Sequence, residues 1–169
     1  MGSLTEPMLK EFHVEAATTK RALDRIPADK LRWRPHTRSM TLGQLAIHIA
    51  TVPGVFARLI KADSFDVTNA NFTPPIPHTL EEVHAIFADS VRAVEECLTG
   101  MSDETARGNW RLHRGEKLIS NEPRISVLRS LMLNHWYHHR GQLSVYLRLL
   151  DVPVPVTYGP TADESPFEL

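Results

Sequence analysis

The chain has 169 residues, 42% hydrophobic and 23% charged, with a formal net charge of -1. That balance fits a globular domain able to bury a core, and it offers no basic surface for nucleic acid or an anionic membrane. Cys97 is the sole cysteine, which excludes an internal disulfide and a thiolate-rich zinc site; no apolar run approaches the roughly 20 residues of a membrane-spanning helix.

The N-terminus has no basic segment followed by an apolar one, and in Met1-Gly2-Ser3-Leu4-Thr5-Glu6 a glutamate occupies the Ser/Thr position of a myristoylation site. A cytoplasmic protein is expected. No repeat or linker divides the sequence, so residues 1–169 should form one domain.

From Leu4 to Ile26, Met8, Leu9, Phe12, Ala16, Leu23 and Ile26 recur at helical spacing, and Pro27 ends the run. In the connection after it, Trp33 is expected to pack over one end of the helices. A second helix is expected from about Thr41 to Ile60, capped by Ser39 or Thr41, with Leu45, His48, Val52, Val55 and Leu59 on one face. Pro53 lies inside it and should deprive the Ile49 carbonyl of its helical donor, bending the helix just beyond His48. Asp63 to His78 reads as a loop. Thr79-Leu80-Glu81-Glu82 fits a capping box, opening a third helix that stops at Gly100, with Val83, Phe87, Val91, Val94 and Leu98 inward. Cys97 borders that face and reads as packing rather than as a nucleophile.

Between Met101 and Glu122 the pattern changes, and Trp110, Leu112, Arg114-Gly115, Leu118 and Ile119 suggest a short hairpin or an irregular stretch. A long final helix is expected from Pro123 to Leu150, with Asn121 as cap, and then an extended tail through Val152-Pro153-Val154-Pro155-Val156. The expected fold is therefore all-α, a four-helix bundle with a short hairpin or irregular insertion before its last helix.

The final helix carries Asn134-His135-Trp136-Tyr137-His138-His139-Arg140-Gly141-Gln142. At about 100° per residue, Leu128, Met132, His135, His139, Gln142, Tyr146 and Leu149 fall in one stripe about 100° wide. His135 and His139 stand one turn apart on it, the spacing at which two imidazoles can share an ion. His138 is the rival to His139, but it lies about 60° off on the other side of His135. Outside this helix, only His48 is centred on a well-defined apolar face. Three buried imidazoles without partners would cost about 1–3 kcal/mol each, whereas one cation satisfies all three acceptors. These residues point to a His48/His135/His139 metal centre, with Gln44 and Gln142 as candidates to hold the second ring nitrogens.

Two familiar metal patterns fail. A zinc protease needs glutamate where Trp136 stands, and a di-iron bundle needs carboxylates that the final helix lacks. The imidazole set suits zinc or nickel, with iron and copper as alternatives. No obvious general base shares the metal-bearing face: Tyr146 lies three turns from His135, Asp163 and Glu164 reach it only if the tail folds back, and all three read as structural. Arg140 is displaced from the stripe by about 140°, a direction that suits an interface or tail contact.

These residues resemble the DinB/YfiT-like family of metalloenzymes. The resemblance is carried by Leu42, Leu45 and His48 in a Leu-x-x-Leu-x-x-His run and by His135-x-x-x-His139-Arg140-Gly141-Gln142, with support from Trp33-x-Pro35 and from Tyr158-Gly159-Pro160-Thr161-Ala162-Asp163-Glu164. It implies an up-down-down-up bundle, commonly a homodimer, with a divalent ion on His48, His135 and His139. It also implies a thiol-dependent transferase or isomerase in which the metal binds a low-molecular-weight thiol; the metal set by itself also allows a hydrolase of a small molecule that uses a metal-activated water. The alternative is a non-catalytic dimeric stress-response or metal-binding protein with a structural ion.

Overall fold

The computed structural model describes residues 2–167. α1 (Thr5–Asp24) buries Met8, Phe12, Ala16 and Leu23, and a single 3-10 turn at Ala28–Lys30 comes directly after Pro27. α2 (Leu42–Leu59) opens at Thr41, whose hydroxyl accepts from the Gln44 amide at 3.1 Å while Gln44 Oε1 accepts from the Thr41 amide at 3.0 Å. That reciprocal pair satisfies two of the donors left free at a helix start. α3 (Leu80–Gly100) is capped by Thr79, and the Glu82 carboxylate reaches back to the His78 amide. The short helix α4 (Asp103–Arg107), capped by Ser102, is not apparent from the sequence; five residues are too few to show a period.

Side-chain pairs fix how the long helices run. His13 and Asp24 of α1 face Glu95 and His84 of α3, so these two are antiparallel. Pro77, just before α3, packs on Gly43, and the Gly54 amide donates to Ser90 Oγ at 2.6 Å, so α2 and α3 are parallel. Gly54 permits that approach: a Cβ there would lie 2.7 Å from Ser90 Cα. The last helical stretch runs against α2, since Trp136 reaches Ile49 and Tyr146 reaches Met40, and along α1, since Arg129 meets Glu11 and Arg140 meets Glu15. The order is up, down, down, up.

The all-α expectation needs correction. A three-stranded sheet lies beside the bundle, formed by β1 (Ser64–Asp66), β2 (Asn109–Arg114) and β3 (Lys117–Pro123), in that spatial order. β2 and β3 are the anticipated hairpin, turning at Gly115 with φ of 55°. β1 lies in the stretch expected to be loop and pairs in parallel with β2, Phe65 opposite Leu112. Three residues cannot display an alternating pattern, so only the partner strand reveals it. Arg124, just beyond β3, clamps this sheet to the bundle. Its guanidinium donates to the carbonyls of Ile60, Ala62 and Asn109 and to Asp63, satisfying acceptors at the end of α2.

The final helix also departs from expectation. Asn121 pairs with Arg111 in the hairpin instead of capping, and Pro123 is the last residue before helix rather than part of its first turn. The helix starts as α5 (Arg124–Val127), widens into a π-helical stretch at Leu128–Asn134, and continues as α6 (His135–Leu149). Ser130 Oγ donates to the Ser126 carbonyl at 2.9 Å, competing with the main chain for the acceptor that an α turn would use. The wider turn shifts the phase of α6. Leu149, placed inward by a uniform 100° period, is 56% exposed, while Trp136, Leu143 and Leu147 are fully buried. Val55 on α2, also expected inward, is exposed.

The buried side chains of all the long helices join in one core cluster. α2 is its apolar centre; its 18 residues are long and apolar enough to cross a membrane by length and composition, yet 61% of them are buried within the fold. Trp33 packs edge-on against Tyr146, with ring centroids 5.7 Å apart, closing one end as anticipated. The tail is pinned at several points. Asp163 pairs with Arg148 and accepts from the Val154 amide, and Glu164 pairs with Arg25 and accepts from the Val156 amide.

Candidate metal centre

His48 sits in the middle of α2, and His135 and His139 stand one turn apart at the start of α6. Their rings converge. His135 Nε2 lies 3.3 Å from His48 Nε2 and 2.7 Å from His139 Nε2, and one donor atom from each residue lies within 4.8 Å of the others. A tetrahedral ion with bonds of about 2.0–2.1 Å places its donors about 3.3–3.4 Å apart, so the His48–His135 separation already matches, the His135–His139 pair would open by about 0.7 Å, and the His48–His139 pair lies within the 4.8 Å that bounds all three.

The protonation pattern fits a cation better than it fits the rings alone. His139 Nδ1 faces Gln142 Oε1 at 2.8 Å. An amide oxygen only accepts, so Nδ1 bears the hydrogen and the neutral ring presents a lone pair at Nε2, toward His135. Burial lowers the pKa of all three rings. His48 falls to about 4, through desolvation first and then through the other two imidazoles. His135 and His139 shift the same way, mainly through desolvation, against opposing support from the Leu131 backbone and from Gln142. Neutral imidazoles at neutral pH are what a metal requires.

Gln142 therefore occupies the place expected of it. Gln44 does not. Its oxygen completes the cap at Thr41 and its nitrogen donates to the Pro74 carbonyl, so the demands of the helix start and the neighbouring loop hold it away from His48. His138 is exposed and lies outside the three-ring cluster, its Nε2 against Gln142 Nε2 at 3.0 Å. Tyr146 donates to the Met40 carbonyl, and Asp163 and Glu164 hold the tail, so these three serve the fold. Cys97 is buried, and that burial raises its thiol pKa.

Two neighbours of the rings are not evident from sequence. Trp136, between His135 and His139, is fully buried and donates from its indole to the Ile49 carbonyl at 2.9 Å. Its signal is Pro53, which leaves that acceptor vacant. Arg140, expected to point away from the core, is only 3% exposed: it pairs with Glu15 at 2.5 Å and donates to Thr19 and to the Tyr158 hydroxyl of the tail. The tail contact agrees with its direction on the helix. The burial does not, because the core wraps further round α6 than one stripe suggests.

A family model described as the DinB family matches residues 1–166. The chain belongs to the DinB family. Among solved structures, this DinB-family chain resembles a DinB-like protein from Bacillus cereus ATCC 10987, with TM-score 0.70 and 23% identity over 89% of this chain and 95% of that one. It also resembles the DinB-like protein YjoA from Bacillus subtilis, with TM-score 0.65 and 20% identity over 94% and 99%. The uncharacterized protein YrdA of Bacillus subtilis (strain 168) is 24% identical over 157 residues, 92% of this chain and 89% of its own. These likenesses establish the fold; the geometry of the rings carries any further reading.

Proposed function

We infer that this DinB-family chain is a metal-dependent enzyme in which His48, His135 and His139 hold a divalent ion, zinc or nickel in preference to iron or copper. One observation carries the reading: three neutral imidazoles meet at a point, and two of them, His48 and His135, are only half-buried, so an ion held there would not be sealed off from small molecules. Three protein ligands with an open position is the arrangement of catalytic sites, whereas structural sites close their shell. An ion bound there would act as a Lewis acid, lowering the pKa of a coordinated low-molecular-weight thiol or water. Gln142 keeps the His139 proton on Nδ1, and α2 and α6 hold the rings in register from opposite sides. The reaction class we favour is thiol-dependent S-transfer to a small electrophile, with hydrolysis of a small molecule as the neighbouring possibility. In this reading the protein is a cytoplasmic homodimer of single-domain chains, with no nucleic-acid or membrane partner.

Two surface concavities, one beside Leu4, Met8 and Arg129 and the other beside Leu31, Arg32 and His78, are lined by none of the three ligands. That supports a second reading, a non-catalytic dimeric stress-response or metal-binding protein with a structural ion. Elemental analysis of wild type, His48→Ala, His139→Ala and Gln44→Ala tests the centre itself. One ion per chain in wild type and Gln44→Ala, with loss in both histidine variants, is expected; full metal content in either histidine variant refutes it. Turnover of electrophiles with glutathione or bacillithiol then separates the enzyme from the structural reading.

A further inference from the structure

We propose that Trp136 is a positioning residue for the His48–His135 pair, acting through the Ile49 carbonyl that Pro53 leaves without a helical donor. This role rests on the three histidines holding a metal.

In an unbroken α-helix the carbonyl of residue 49 accepts from the amide of residue 53, and proline has no such hydrogen. An acceptor buried and unpaired is costly, so the vacancy must be filled. Here another helix fills it. Trp136 Nε1 donates to the Ile49 carbonyl at 2.9 Å, with both residues fully buried. The indole is held by Phe12, stacked at 5.4 Å between centroids, and by Phe87 at 6.2 Å.

The placement gives the bond its role. Ile49 is the residue after His48 and Trp136 the residue after His135, so the bond and the 3.3 Å approach of the two rings share the same backbone segments. A slide of one residue along either helix, about 1.5 Å, would break the bond and move the rings apart together. Apart from the histidine rings, the contacts around this bond come from buried apolar side chains, which tolerate small slides. The directional bond does not. Pro53 thus does more than bend α2: it frees an acceptor for a donor carried beside a ligand.

The test uses Trp136→Phe, Pro53→Ala and the double variant, each measured for melting temperature without metal, for cobalt(II) affinity by chelator competition, and for the visible spectrum of the cobalt(II) form. Trp136→Phe should lower the melting temperature, weaken cobalt binding about tenfold and alter the ligand-field bands. Adding Pro53→Ala returns a helical donor to Ile49. The double variant should recover melting temperature while its affinity stays about tenfold reduced, because the tie between helices remains absent. Recovery of affinity together with stability would make Trp136 merely structural and overturn the proposal, as would wild-type affinity in Trp136→Phe. A wild type that binds no cobalt sinks the metal-site reading, and this inference with it.

Discussion

Arg140→Met removes a cation that the interior of the bundle is built around. The guanidinium is 3% exposed and the Glu15 side chain opposite is 11% exposed, at 2.5 Å. Three further acceptors converge on it, the Glu15 carbonyl, Thr19 Oγ1 and the Tyr158 hydroxyl, and the rings of Tyr137 and Tyr158 lie 5.3 and 5.2 Å from its centre. Methionine fills much of the volume but leaves the Glu15 carboxylate buried without its counter-charge, a loss of about 3–5 kcal/mol. For a chain of this length each kcal/mol moves the melting temperature by about 2–4 °C, giving a fall of about 6–20 °C. Removing both charges should be far milder, so Glu15→Leu with Arg140→Met should regain at least half of the loss. Calorimetry of the two variants and wild type, all metal-free, decides it. An Arg140→Met protein melting within about 2 °C of wild type, or a double variant no better than the single, refutes the reasoning.

The acid stability of the metal-free fold depends on the rings. Their folded pKa values lie below the ordinary 6.5, His48 at about 4, so their contribution is complete above pH 6.5 and lost as pH falls toward 4. Melting temperature against pH should drop across that window and drop less in His48→Gln; parallel curves would exclude the assignment. Gln142→Leu should weaken metal binding about tenfold by releasing His139 Nδ1, while Gln44→Ala should cost about 0.5–2 kcal/mol of stability through the lost cap and leave affinity unchanged. Chelator titrations beside thermal melts separate those two effects. Native Cys97, buried and with a raised thiol pKa, should react with a disulfide reagent only as the chain unfolds, and rapid labelling of folded protein would contradict this.

Much of the bundle is legible because each long helix bears a sustained apolar period and definite end signals: Thr41, Thr79 and Pro27 are where the sequence puts them. The three histidines are legible for the same reason, as polar rings on faces that packing must bury. The features that escape depend on partners remote in sequence. β1 exists because β2 passes beside it. The inward side of α6 depends on the wide turn that Ser130 accompanies, which carries no apolar signature of its own. Gln44 looks like a partner for His48 by spacing alone, yet a cap one turn earlier has first claim on its amide.

The residues that meet at the rings come from opposite ends of synthesis: His48 and His135 are 87 positions apart. At about 5–20 residues per second a ribosome needs about 4–17 s to travel between them, and α6 must then clear the exit tunnel. A centre that uses all three rings can therefore assemble only after α6 has been made and has packed against α2.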